Sequence, residues 1–211
     1  MSSSLTPHTV SMNRTLIWLT AIVVAAGLGW FFGRSSVTYP LETSAEVRFT
    51  RDMRAHHEQA VDMSLRVLGR TSDAELRLFA TDILLTQQNQ AGQMTAWLAL
   101  WGRPQSGLEP PMQGMASGMG MASAVQVQRL SALSQPVREA EILFLQLMHR
   151  HHQGGIQMAQ ALLDDAPPAA VVTRLAQGIV SGQRVELQVI ESLLRRFGGS
   201  VPPALPPMQR R

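Results

Sequence analysis

A chain of 211 residues that is 45% hydrophobic is long enough for one ordinary domain with a buried core, plus appendages. Net charge is only +3, and all 18 basic residues are arginines spread along the chain, so there is no basic footprint for a nucleic acid. The lack of cysteine excludes a disulfide, a thiolate metal site, a catalytic thiol and a lipid-modified N-terminal cysteine, while few aromatics among many Ala and Leu favour helices.

Residues 1–14 are an N-terminal segment, and residues 15–33 read as a transmembrane anchor or signal sequence. The stretch 16–32 carries no charge and lies between Arg14 and Arg34, with Trp18 and Trp30 near its ends. Thr43-Ser44-Ala45 is a poor cleavage site, so a retained anchor is expected rather than a cleaved signal. That expectation places the protein in the inner or cell membrane as a single-pass protein, its C-terminal domain extracytoplasmic (periplasmic). Residues 34–44, with Pro40, read as a linker.

Residues 45–197 read as one helical domain. A first helix carries Asp52, Met53, His56, His57 and Met63 and is broken by Gly69 and Thr71. Ser72 with Glu75 forms a candidate capping box opening a second helix, which runs to about Trp101. A crossover over 102–122 follows, with Met112, Met115, Met119 and Met121 interleaved with glycine, and then a short helix over 124–133. A second histidine helix ends at Asp165, and a last helix runs from about Ala169 to Phe197, closed by Gly198-Gly199. The tail, 198–211, is Pro-rich and expected to be disordered.

The two histidine helices repeat each other at an offset of 95 residues. Phe49, Met53, His56, Ala60, Met63 and Val67 recur as Phe144, Met148, His151, Gly155, Met158 and Leu162, in steps of four and three. Such steps draw one stripe along a helix. His56 and His151 therefore lie on the seams of their helices, and His57 and His152 at the borders. Asp52 stands one turn before His56, within reach as a ligand or an orienter. The helices that follow also echo each other, with Ile83, Gln87, Gln90, Met94 and Trp97 matched by Ile179, Gln183, Glu186, Ile190 and Leu193. Two repeated hairpins joined by a crossover predict an all-α, four-helix bundle with the stripes face to face.

Thioether sulfur and neutral imidazole select Cu(I), and imidazole with carboxylate suits Cu(II). Zinc, which needs only the histidines and Asp52, and silver stay open beside copper. A single His-His pair reads better as core structure; two matched pairs on matched seams favour metal. Taken alone, Met53, Met63, Met148 and Met158 read as core gap-fillers. His149 reads as solvated or at the mouth of the site rather than as a ligand, and with the crossover methionines it is at most an accessory metal candidate; otherwise the crossover is a plain flexible loop. Gln87 and Gln183 read as interhelical hydrogen-bonding groups. A di-iron enzyme needs inward carboxylates and Glu-x-x-His motifs that are missing, so no catalytic residues are assigned. The alternative is a metal-free envelope interaction module whose histidines form a polar core or a pH sensor. Partners expected are the membrane through the N-terminal helix and metal-handling proteins; monomer and homo-oligomer both stay open.

The blocks Phe49-x-x-Asp52-Met53-x-x-His56-His57 and Phe144-Leu145-x-x-Met148-x-x-His151-His152-x-Gly154, with the Met/Gly linker between them, resemble a bacterial family catalogued as domain of unknown function 305. The resemblance covers roughly residues 45–197. It implies a ferritin-like fold, export, and copper binding in copper homeostasis or tolerance. It also implies a site of Met53, His56, His57, Met63, Met148, His151, His152 and Met158, with Asp52 in support. One departure is Gln90, where the family pattern has an acidic residue.

Overall fold

The computed structural model describes residues 13–33, 39–108, 112, 119–165 and 169–208. Among them are six helices and no strand: α1 (Arg14–Gly33), α2 (Ala45–Leu68), α3 (Ala74–Leu100), α4 (Ala124–Arg129), α5 (Val137–Asp164) and α6 (Ala170–Phe197). The chain divides into two units, Met1–Tyr39 and Pro40–Arg211.

The first unit holds α1, and here the sequence expectation fails. Among the described residues, no helix is long and apolar enough to cross a membrane. The uncharged stretch 16–32 has 17 residues; at about 1.5 Å per residue it extends about 25 Å, short of a hydrocarbon core of about 30 Å. Thr20, Gly27 and Gly29 dilute it further. The transmembrane helix is therefore corrected, and so is the single-pass, extracytoplasmic location that rested on it.

The second unit is a helical bundle whose helix ends are set locally. The Ser44 side chain accepts from the Val47 amide to start α2. At α3 the cap is Asp73, one residue beyond the expected Ser72–Glu75 box: Asp73 Oδ1 accepts from Leu76 N at 3.0 Å. A carboxylate suits the positive helix start better than a hydroxyl, and Arg196 on α6 grips the same carboxylate at 2.7 and 2.9 Å. Ser123 and Gln126 close a reciprocal capping box on α4, which ends at Arg129 rather than near residue 133. Gly198, at φ +76°, ends α6 in the left-handed region that suits glycine.

α2 packs along α3, α5 along α6, and α2 against α5. The core they enclose is divided in two. One apolar cluster gathers Met63, Val67, Leu76, Phe79 and Ile83 with Phe144, Leu145, Met148, Leu193 and Phe197. The other gathers Phe49, Met53, Met94, Leu98 and Met119 with Met158, Leu162, Leu175 and Ile179. Each cluster draws on both hairpins. On the stripes of α2 and α5, the buried histidine pairs fall between the residues of the two clusters.

The described part of the Pro-rich tail, residues 198–208, is tied to α5, against the expectation of disorder. Gln146 donates to Ser200 O at 3.0 Å, Leu205 N donates to Gln153 Oε1 at 3.0 Å, and Gln157 donates to Pro206 O at 3.1 Å. Three glutamines on one side of α5 thus supply hydrogen bonds that a proline-rich backbone cannot make with itself, and Leu205 is buried.

Candidate functional site

His56, His57, His151 and His152 are all fully buried, so the border positions expected for His57 and His152 are closed as well. The two seam rings stack, with centroids 3.6 Å apart and planes inclined by 26°. Each seam ring stands 6.3 Å from the border ring next to it.

Each ring is tied through the same nitrogen. His56 Nε2 meets Met119 O at 3.1 Å, and His151 Nε2 meets His56 O at 2.9 Å. His57 Nε2 meets Gln90 Oε1 at 2.6 Å, and His152 Nε2 meets Glu186 Oε2 at 2.5 Å. Carbonyl, amide and carboxylate oxygens only accept, so Nε2 carries the proton and donates in all four. In the neutral ring Nδ1 is then a bare lone pair. All four Nδ1 atoms are buried with no hydrogen-bond partner. A buried acceptor left unpaired is costly, and a neutral ring whose Nε2–H is fixed by an oxygen while Nδ1 is bare is in a tautomer that a metal-ligating histidine can use.

Electrostatics favour the neutral form of His56, His57 and His151. Burial, and then the neighbouring His57, push His56 down to about 3. Burial pushes His57 down to about 4, against the hydrogen bond it makes to Gln90. Burial followed by His56 holds His151 well below the ordinary value.

The four methionines divide between the two apolar clusters. Met63 and Met148 belong to one apolar cluster, and Met53 and Met158 to the other. Asp52 does not face His56: its carboxylate accepts from Met112 N at 2.9 Å, and burial raises its pKa against that bond. Met112 and Met119 both take positive φ, and Met119 is buried. Met121 is half-buried, and Met115 lies outside the described residues. His149 is buried rather than solvated, with Nε2 3.5 Å from Glu191 Oε1. Gln87 and Gln183 are buried but do not bond across the bundle. Both polar atoms of Gln87 and the oxygen of Gln183 lack partners. Among the described residues no three His, Asp or Glu side chains are grouped to hold a metal ion. A site here has to join imidazole nitrogen to thioether sulfur.

Sequence reasoning missed the segment that closes the layer. The Met119-Gly120 turn lies between the two histidine helices. A Cβ on Gly154 would overlap the Met119 carbonyl, and one on Gly120, at φ +73°, would overlap the Arg150 carbonyl. On the other side Gln59 donates to Ala122 O at 2.9 Å and accepts from Ala122 N at 2.7 Å. The signal was faintly present: Gln59 and Gly154 occupy matching places in the 95-residue repeat.

The family model described as "Domain of unknown function (DUF305)" matches residues 46–194. A DUF305 protein of solved structure from Streptomyces coelicolor is 42% identical over 76% of this chain and 98% of its own, with TM-score 0.69. CopM in its Cu(I)-bound form is 22% identical over 73% of this chain and 98% of its own, with TM-score 0.59, a likeness of fold; its Cu(II)-bound and silver-bound forms match similarly. The uncharacterized protein L153 of Acanthamoeba polyphaga mimivirus is 32% identical over 92 residues, which are 42% of this chain. The match spans about half of that curated relative's length, 53%.

Proposed function

Because the chain belongs to the DUF305 family, we propose that it is a metal-handling protein that takes a soft monovalent ion, Cu(I) or the similar Ag(I), into its histidine layer. It holds the ion for buffering or transfer, with no turnover of its own. The observation that carries this reading is the set of four buried, unpartnered Nδ1 lone pairs, each on a ring anchored through Nε2. Nitrogen would come from the pairs His56/His57 and His151/His152, no three of whose side chains are grouped to hold an ion alone, and sulfur from Met53, Met63, Met148 and Met158 would have to complete the donor set. A bound soft ion brings a positive charge and a preference for donors of this kind, imidazole and thioether. The residues do the rest: the neutral rings need lose no proton to bind, and the oxygens on Nε2 keep each ring in the binding tautomer. Support from outside the chain is that a protein of the same fold, CopM, is solved with Cu(I), Cu(II) and silver.

The metal-free reading has one observation in its favour, the hydrogen bond that ties every ring to another segment of the chain. It does not explain why one nitrogen of each buried ring is left without a partner. A sensor working near neutral pH is disfavoured, since His56 and His57 stay neutral down to about 3 and 4.

The test is equilibrium dialysis of the full chain against Ag(I) and, under reducing anaerobic conditions, Cu(I), read by bound metal and by thermal melting. The expected result is bound ion with a raised Tm, both lost in the His56→Ala/His151→Ala double variant. Equal binding by the folded double variant would overturn the site, and no binding by the wild type would overturn the function.

A further inference from the structure

The border rings have chemically different partners in the two hairpins. His57 donates to a neutral carboxamide, Gln90, at 2.6 Å; His152 donates to a carboxylate, Glu186, at 2.5 Å. Gln90 and Glu186 occupy equivalent places in the repeated hairpins, so geometry is kept while charge is not.

Nearby charges sharpen the contrast. Asp52 is bonded to Met112 N and has Arg48 and Arg51 beside it. Glu191 stands between His149 and Arg195. Glu186 is only partly exposed, with 16% of its side-chain surface open, and its field reaches His57 on the other hairpin. Of the two matched border positions, only Glu186 brings a carboxylate to the layer; Gln90 brings a neutral carboxamide. A cation taken out of water into such an interior is costly unless a charge balances it. One carboxylate balances one monovalent ion and leaves a divalent ion half uncompensated.

We propose that Glu186 is the specificity-determining residue of the layer: it supplies the single counter-charge that matches the site to one monovalent soft cation, and Gln90, by withholding a second charge, disfavours divalent ions. This rests on the soft-metal reading above. Glu186 acts through His152 and through space, so it is a positioning and charge-balancing residue, and its charge is separable from its hydrogen bonding. Gln90 shows within the same molecule that a carboxamide oxygen accepts from the ring equally well.

The experiment compares wild type, Glu186→Gln, Gln90→Glu and the swap Gln90→Glu/Glu186→Gln, all as the full chain, using Ag(I) as monovalent probe and Zn(II) as divalent probe. Bound metal is measured by dialysis, and folding is checked by melting. Wild type should bind one Ag(I) equivalent that depends on His56 and His151. Glu186→Gln should bind it at least tenfold more weakly, and the swap should return to within about threefold of wild type. Gln90→Glu alone should raise Zn(II) affinity at least tenfold relative to Ag(I). Unchanged Ag(I) affinity in Glu186→Gln, or an unaltered Zn(II) to Ag(I) ratio in Gln90→Glu, would overturn the charge assignment while leaving the histidine site standing. Wild-type binding that ignores the histidine double variant would instead remove the site itself, and this inference with it.

Discussion

The hairpin α2/α3 and the hairpin α5/α6 each present a matched pair of rings, with different supports. In α5/α6 the border ring leans on a carboxylate, and the helix carries Gly154, bare enough for the Met119 carbonyl to lie against it. In α2/α3 the border ring leans on an amide, and the place equivalent to Gly154 is Gln59, which takes hold of Ala122 with two hydrogen bonds. One half therefore offers the crossover a seat and the other a clasp. A repeat can keep its donor atoms fixed while it divides charge and closure between its copies.

The broadest way to break this comparison is acid, because the imidazole layer belongs to both halves. His56, His57 and His151 have folded pKa values depressed below the ordinary value of 6.5. The unfolded chain then binds more protons between about pH 6.5 and the folded values near 4 and 3, so stability is complete above that window and falls as pH drops through it. At up to about 1.4 kcal/mol per pH unit for each ring, the metal-free protein should lose several kcal/mol between pH 7 and pH 5. Urea unfolding at both pH values reads this, and a flat profile would contradict neutral buried rings.

The next largest effect contrasts the apolar clusters. Phe144 is fully buried and Phe49 is 7% exposed at the matching place. Phe144→Ala should cost about 3–5 kcal/mol and Phe49→Ala measurably less; equal losses would show the two clusters to be equivalent. Gly154→Ala tests the seat. A new Cβ meets backbone rather than a movable side chain, so the variant should be destabilised by about 1–3 kcal/mol, despite the better helix propensity of alanine. The smallest effect is the control. Gly182, on α6 of the same hairpin, has nothing within 4 Å of the point where an added methyl would stand, and Gly182→Ala should stabilise by about 0.5–1 kcal/mol. Chemical denaturation of both glycine variants separates close packing from helix propensity.

Much of this could be read in the residues. The stripe Phe49–Val67 and its copy Phe144–Leu162 are buried at every marked position, because a three-and-four spacing leaves a helix only one face to bury. What escaped reading depended on long-range partners. Asp73 became the cap of α3 because Arg196, 123 residues away, reinforces it. His149 is buried against α6, and the tail is held by glutamines spaced along α5. Asp52 serves the crossover, which no local pattern signals. The uncharged stretch 16–32 has the composition of a bilayer span but only the shortest workable length.

The division of the apolar interior has a consequence for how such a chain could arise. Neither cluster is built from one hairpin: Met63 needs Phe144 and Leu193, and Met158 needs Met53 and Leu98. A half-length polypeptide would leave its oily stripe facing water and its two imidazoles without a stacking mate. It could persist only by pairing with an identical copy. Fusion of two such copies would have tied the pair together at any dilution, and would have freed each half to change residues that a symmetric pair must keep alike.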